Sequence, residues 1–209
     1  MSIDNRFLLI VFCFAIQLTH SQYKTSFQIE NSKLKVVVFE AKQVSLINLD
    51  TNRQSKIKFN STSEGTYKRD LYFDYDINQD SLIIKSIYPK SLEFGDNKMT
   101  SMQEFSVSVR LSLPEKLSFI LDSEIASVEG SGIFKNVQIN TKSGYCKLIN
   151  FVGDANINTY DGKIYVKTRQ AKVEAKSQAG DVNIDPALVE NHQLILRTVN
   201  GDIEVIQSE

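Results

Sequence analysis

From Phe27 to the end of the chain, apolar and polar residues alternate with period two and helical periodicity is almost absent, so the sequence predicts an all-β protein. In the first half the candidate strands are 34–39, 44–49, 56–59, 71–77 and 82–88. Phe105, Val107, Val109, Leu111 and Leu113 then alternate with polar residues in one long strand that Pro114 ends. The stretches between them, 50–52, 61–65, 78–80 and 95–97, carry the residues of turns.

After Pro114 the pattern becomes a repeat. Gly144, Gly162, Gly180 and Gly201 are spaced by 18, 18 and 21 residues, and Ala126 sits a further 18 upstream. Seven residues before each marker stands Phe119, Val137, Ala155, Val173 or Leu194, and five before it Leu121, Ile139, Ile157, Ala175 or Leu196. Three before it is always a hydroxyl: Ser123, Thr141, Thr159, Ser177 or Thr198. Two after it come Val128, Cys146, Ile164, Val182 and Ile203. Four after it come Gly130, Leu148, Val166, Ile184 and Val205. Positions between these columns are largely polar.

Such registration predicts two short strand arms around a turn in each repeat, with alternate side chains stacked on those of the next repeat. The expected fold is therefore a C-terminal β-solenoid, or β-helix, of about five coils with a period near 18 residues. Glycine at the marker suits a bend with close backbone approach, which makes Gly144, Gly162, Gly180 and Gly201 structural turn residues. Burial within one coil does not offset the entropy of ordering it, so the coils must stack and share hydrogen bonds. Residues 22–113 read as an irregular β region packed on the solenoid and capping one end, with 114–209 as the repeat region. The last strand, 203–206, is expected at the other end, as an edge that is either protected by charge or a docking point.

Residues 1–21 have another pattern: Arg6, an apolar run from Phe7 to Ile16 reaching Leu18, then Thr19, His20 and Ser21. This is the plan of a secretory signal peptide, with cleavage expected after Ser21. The run is short of the roughly 20 apolar residues of a membrane span, so no stable span is expected after cleavage. The formal charge of −1 suggests neither nucleic acid nor an anionic membrane as partner. Of the two cysteines, Cys13 falls in the signal and only Cys146 remains, which rules out an intramolecular disulfide in the mature chain.

Chemistry-bearing clusters are scarce. The one mature histidine, His192, reads as a solvated loop residue beside Asn191 at the enlarged turn, and Cys146 reads as a buried thiol because its column is otherwise aliphatic. Asp154, Asp161, Asp181 and Asp202 adjoin glycines and read as turn residues rather than calcium ligands. No catalytic residue, metal site or cofactor is expected. Tyr145, Tyr160 and Tyr165 fall at or beside turns and are the candidate binding residues, as an aromatic platform or as ordinary strand tyrosines on a solvated face. Asn60–Ser61–Thr62 matches a glycosylation sequon.

The lead-in Leu113–Pro114–Glu115–Lys116–Leu117 and the turn pattern of Thr198–Val199–Asn200–Gly201–Asp202–Ile203–Glu204–Val205 resemble the bacterial adhesin-like β-strand-repeat family, the auto-transporter adhesins of head GIN domain type. The resemblance covers residues 113–205 and departs from the family at Ala126 and at 185–191. It implies an exported β-helical protein of the periplasm, outer-membrane surface or extracellular space, without known catalysis. The leading functional expectation is a cell-envelope binding or structural module whose partner is a glycan or an envelope protein, with self-association through a solenoid edge as a further possibility. The alternative is a small polysaccharide-active β-helix enzyme using Lys163, Lys167, Arg169, Asp161 and Asp181 on one face. A periplasmic partner of a signalling system is a third reading.

Overall fold

The computed structural model describes residues 22–30, 33–65, 72–87 and 105–208. The expected signal segment and the turn at 95–97 lie outside these. Among the described residues there is no helix, hence none long and apolar enough to cross a membrane. The strands are β1 (Tyr23–Glu30), β2 (Val36–Ala41), β3 (Leu46–Asn52), β4 (Lys56–Gly65), β5 (Tyr72–Asn78), β6 (Ser81–Ile87), β7 (Phe105–Pro114) and β8 (Ser118–Ser123). They continue as β9 (Ser127–Ser143), β10 (Cys146–Asp161), β11 (Ile164–Thr168), β12 (Gln170–Ser177), β13 (Val182–Ile184), β14 (Val189–Asn200) and β15 (Ile203–Gln207). The stretch 61–65, expected as a turn, instead extends β4: Ser61 and Ser63 turn inward and are buried beside β7.

All strands belong to one sheet wound on itself. The long strands β9 and β10 bend from one face to the other near Gly132 and Gly153, both at positive φ, and so carry the chain around the body. Along the first face the strands run β1, β4, β7, β3, β9, β10, β11, β15, β13. Along the second they run β5, β6, β2, β8, β9, β10, β14, β12. Winding makes the pairing parallel, and among the described residues antiparallel pairs occur only where β1, β4 and β5 join.

The apolar columns lie in register. On the second face Val37 is opposite Phe119, Phe119 opposite Val137, and Val137 opposite Ala155. On the first, Val128 is opposite Cys146 and Cys146 opposite Ile164. The inward members of β2, β3, β6, β7, β8, β9, β10 and β11 are almost entirely buried, so the interior is one continuous core. That core does not stop at Pro114. β2 and β3 form a layer pairing directly with β8 and β9, and β6 with β7 forms another beyond it.

The repeat predicts layers stacked in chain order with the last strand outermost, and here the structure differs. Leu194 of β14 pairs with Ala155 of β10 on one side and Val173 of β12 on the other. Ile203 of β15 likewise lies between Ile164 of β11 and Val182 of β13. The last layer in sequence is thus inserted between its two predecessors, and the exposed edge is β12 and β13, not 203–206. The extra residues around 185–191 make this possible: the chain leaves β13, passes back one layer, and enters β14 with an irregularity where Gln170 faces Val189 and Ala171 faces His192. The same exchange occurs at the opposite end, where β2 and β3 are flanked by the later layer β6/β7.

The marker glycines follow the spatial order. A Cβ on Gly144 would overlap the carbonyl oxygen of Ala126, one on Gly162 that of Gly144, one on Gly201 that of Gly162, and one on Gly180 that of Gly201. Backbone bonds run along the same stack, from Gly144 N to Asp161 O at 3.0 Å and from Gly162 N to Asn200 O at 2.9 Å. Hydroxyls just before the bends satisfy neighbouring carbonyls: Ser177 Oγ donates to Gly201 O at 2.8 Å and Thr198 Oγ1 to Gly162 O at 3.1 Å.

Candidate binding surface

Alternation buries every second residue of a strand and leaves the others as rows across the outside. On the second face the outward row begins at Lys85 and Glu40, whose side chains pair at 3.0 Å. It continues through Asp122, Asn140 and Asn158 and ends at Arg197 and Lys176. Parallel pairing in register stacks the amides: Asn140 Nδ2 donates to Asp122 Oδ1 and Asn158 Nδ2 to Asn140 Oδ1, each at 3.1 Å. Beyond the Lys85–Glu40 pair, charge along the row therefore passes from acidic Asp122 through neutral amides to basic Arg197 and Lys176.

Next to this row lies an open groove of about 610 Å³, bordered by Glu40, Lys42, Asp122, Glu124, Lys142 and Tyr160. Lys142 Nζ is 2.9 Å from Glu124 Oε1, and that hydrogen bond and charge hold the Glu124 carboxyl below its ordinary range. Tyr160 follows Thr159 at the end of β10 and stands 60 % exposed on the outward side. Thr159 Oγ1, beneath it, is buried with no hydrogen-bond partner among the described residues.

The three candidate tyrosines do not form one platform. Tyr160 belongs to the second face, while Tyr145 and Tyr165 lie on the first, where Tyr165 is opposite Lys147 on the neighbouring strand. Tyr145 Oη donates to Glu129 Oε1 at 2.6 Å, a bond that, with partial desolvation, raises its phenol above the ordinary 10.0. A smaller depression of about 270 Å³ on this face is bordered by Asn48, Asp50, Arg110, Glu129 and Lys147.

Cys146 is buried among the aliphatic side chains of its column, and loss of solvent pushes its thiol up to about 12. His192 is not a solvated loop residue: it lies in β14, half-buried, with Nδ1 3.6 Å from Asp154 Oδ1. The sequence pattern hid this because the extra residues belong partly to a strand irregularity. Lys163 Nζ pairs with Asp202 Oδ2 at 2.7 Å across adjacent bends. Asp181 N–H also donates to Asp202, so Asp161, Lys163 and Asp181 share the neighbourhood of these bends, while Lys167, opposite Ile206 in β11, and Arg169 lie farther along the chain. The carboxyls with clear shifts, those of Asp80, Glu124 and Asp202, all move down beside a lysine, whereas a general acid needs the opposite shift. Among the described residues no group of three or more His, Cys, Asp or Glu side chains could hold a metal. The polar row and its groove were not singled out from the sequence. Their signal was present in Asp122, Asn140 and Asn158, which recur at the same place in successive repeats.

The family model of Toastrack DUF4097 matches residues 91–208, more than half of the chain. The chain belongs to the Toastrack DUF4097 family. Toastrack, rather than the head GIN type, is thus the family of the repeat region. Among solved structures, a candidate cell adhesion protein from Clostridium sporogenes is similar over 90 % of this chain and 100 % of its own, with 13 % identity and a TM-score of 0.70. A candidate adhesin from Bacteroides fragilis aligns over 89 % of this chain and 98 % of its own, with 9 % identity and a TM-score of 0.36. At 13 % identity the first of these establishes a shared fold for this Toastrack protein. No curated protein matches its sequence.

Proposed function

We propose that this Toastrack protein is an exported cell-envelope binding module of adhesin type, whose working surface is the outward row Asp122, Asn140, Asn158, Arg197 with Tyr160 beside it, and whose ligand is a glycan. One observation carries the reading: the stacked amides of Asn140 and Asn158 put donors and acceptors at the spacing of adjacent strands on a flat face. Amides can both donate to and accept from sugar hydroxyls, and an exposed tyrosine ring offers an apolar face to a sugar ring. The wound sheet holds this array rigid, so little ordering is needed on binding. Export is supported by the signal-peptide pattern of residues 1–21, and the likeness in fold to a candidate cell adhesion protein is in keeping with it.

Two measurements test the proposal. Cell fractionation with surface protease treatment should find the protein outside the cytoplasm, and a cytoplasmic location would overturn it. Envelope polysaccharides screened against the purified chain should bind, and Asn158→Ala combined with Tyr160→Ala should weaken that binding at least about tenfold without changing the melting temperature. Equal binding by the double variant would move the site elsewhere.

A further inference from the structure

Beyond the glycan-binding reading, and independent of it, the open end of the wound sheet carries an interaction surface. β12 has only β14 beside it and β13 only β15, so among the described residues both strands leave one edge without a strand neighbour. The interior opens there too. Val182 and Ile184 are 42 % and 38 % exposed, although their column neighbours Ile203 and Val205 are buried. Val173 and Ala175 of β12 are half-buried. Two edges and an apolar strip between them make a surface that continues both faces if another β layer is added.

The outward residues of β12 state what that layer is. Lys172, Glu174 and Lys176 alternate in charge along an exposed strand. Against a second β12 running antiparallel, a two-fold axis at Glu174 would set Glu174 on Glu174 and Lys172 on Lys176. An axis at Ala175 instead sets Glu174 on Lys176 of the second copy and Lys176 on its Glu174, with Lys172 facing Gln178. Ala175 and Ile184 lie at nearly equal chain distance from the bend at Gly180. The same axis, normal to both faces, therefore passes near Ile184 and sets it on Ile184 of the second copy, with Asn183 facing Asp185. Cross-strand pairs of opposite charge stabilise such a sheet and like pairs oppose it.

We propose that two copies of this chain associate end to end through β12 and β13, about a two-fold axis at Ala175, to form one sheet continuous across both molecules. A two-fold contact uses the same surface on both copies, so it closes at two and does not propagate.

Sedimentation of the purified chain across the micromolar range tests this, with Glu174→Lys, Lys176→Glu and the double variant E174K/K176E. The wild type should dimerise, either single reversal should weaken the dimer about tenfold or more, and the double reversal should restore it by exchanging the two charges. Both side chains reversed, Glu174 and Lys176, are exposed, and circular dichroism verifies that each variant folds; Ile184→Asp should abolish the dimer while leaving the monomer folded. A monomer at every concentration overturns the proposal and leaves the edge to a strand from another protein. A dimer indifferent to Ile184→Asp and to both single reversals overturns it equally, as does failure of the double reversal to restore association.

Discussion

At one end of this wound sheet the outermost layer, β6 with β7, is covered by β5 and β4 running antiparallel, and β1 pairs in turn with β4. Rings fill the space beneath: Phe59 stacks on Phe27 at 4.6 Å, lies 4.8 Å from Phe73, and meets Phe39 edge-on at 6.1 Å. At the other end β12 and β13 have one neighbour each, and the inward positions hold Ala171, Val173, Ala175 and Ser177. The same parallel layer is thus finished in two ways. Reversing the chain direction moves the edge out to β1 and β5, which have one strand neighbour each among the described residues, and lets large side chains such as Phe59 be buried beneath. Leaving the parallel layer itself as the edge goes with small inward residues in β12, while Val182 and Ile184 of β13 stay partly in water.

The sharpest way to probe this contrast begins in the middle, where the core is common to both ends. Cys146→Asp should destabilise the protein by several kcal/mol, about 2–7 for an unpaired buried polar group and more if it stays ionised, as read by urea denaturation. The wild-type thiol makes a related prediction. Its folded pKa is raised from 9.0 to about 12, so the folded chain holds a proton that the unfolded chain releases. Its contribution to stability is therefore complete below 9.0 and falls away as pH rises from there toward about 12. Thiol alkylation at mildly alkaline pH should accordingly track unfolding rather than local access.

Next in size comes a paired comparison of the two ends. Phe59→Ala should cost about 3–5 kcal/mol, because it empties the centre of a sealed aromatic cluster. Val182→Ala, measured at concentrations too low for association, should cost less than about 1 kcal/mol, because much of that side chain is already in water. Similar values for the two would mean that the open end is covered in the free protein.

The smallest effect concerns the bend beside the open end. The hydrogen bond from Lys163, helped by the Asp181 backbone N–H, holds the Asp202 carboxyl below 3.8, so the support it gives is present above the unfolded value and lost as pH falls through the lowered one. In an NMR titration Asp202 should titrate below 3.8 and return toward it in Lys163→Met. An unchanged midpoint would show that the pair does not persist in solution.

The sequence made the inward columns legible, because burial on one side of a strand fixes which residues alternate, and Phe119, Val137 and Ala155 meet as their spacing implies. It did not make the order of the layers legible. Val173 and Leu194 are interchangeable in a column of aliphatic residues, so nothing in side-chain pattern says which lies next to Ala155. The first-half strands were visible, but their union with the repeat was not, since β2 and β3 reach β8 and β9 across more than 80 residues. The tyrosines were chosen for their place near turns, which does not specify a face; Tyr160 and Tyr145 precede and follow the same kind of bend and end on opposite sides.

The inserted layer has a temporal consequence. A chain that emerges amino end first produces residues 170–184 before 189–207, yet the earlier segment has no partner strand until the later one slots beneath it. The growing polypeptide therefore cannot consolidate these layers one at a time in chain order, and the two lock together when residues 189–207 slot in. Disruption of β14 would surrender both layers at once, because β12 has no other strand neighbour among the described residues.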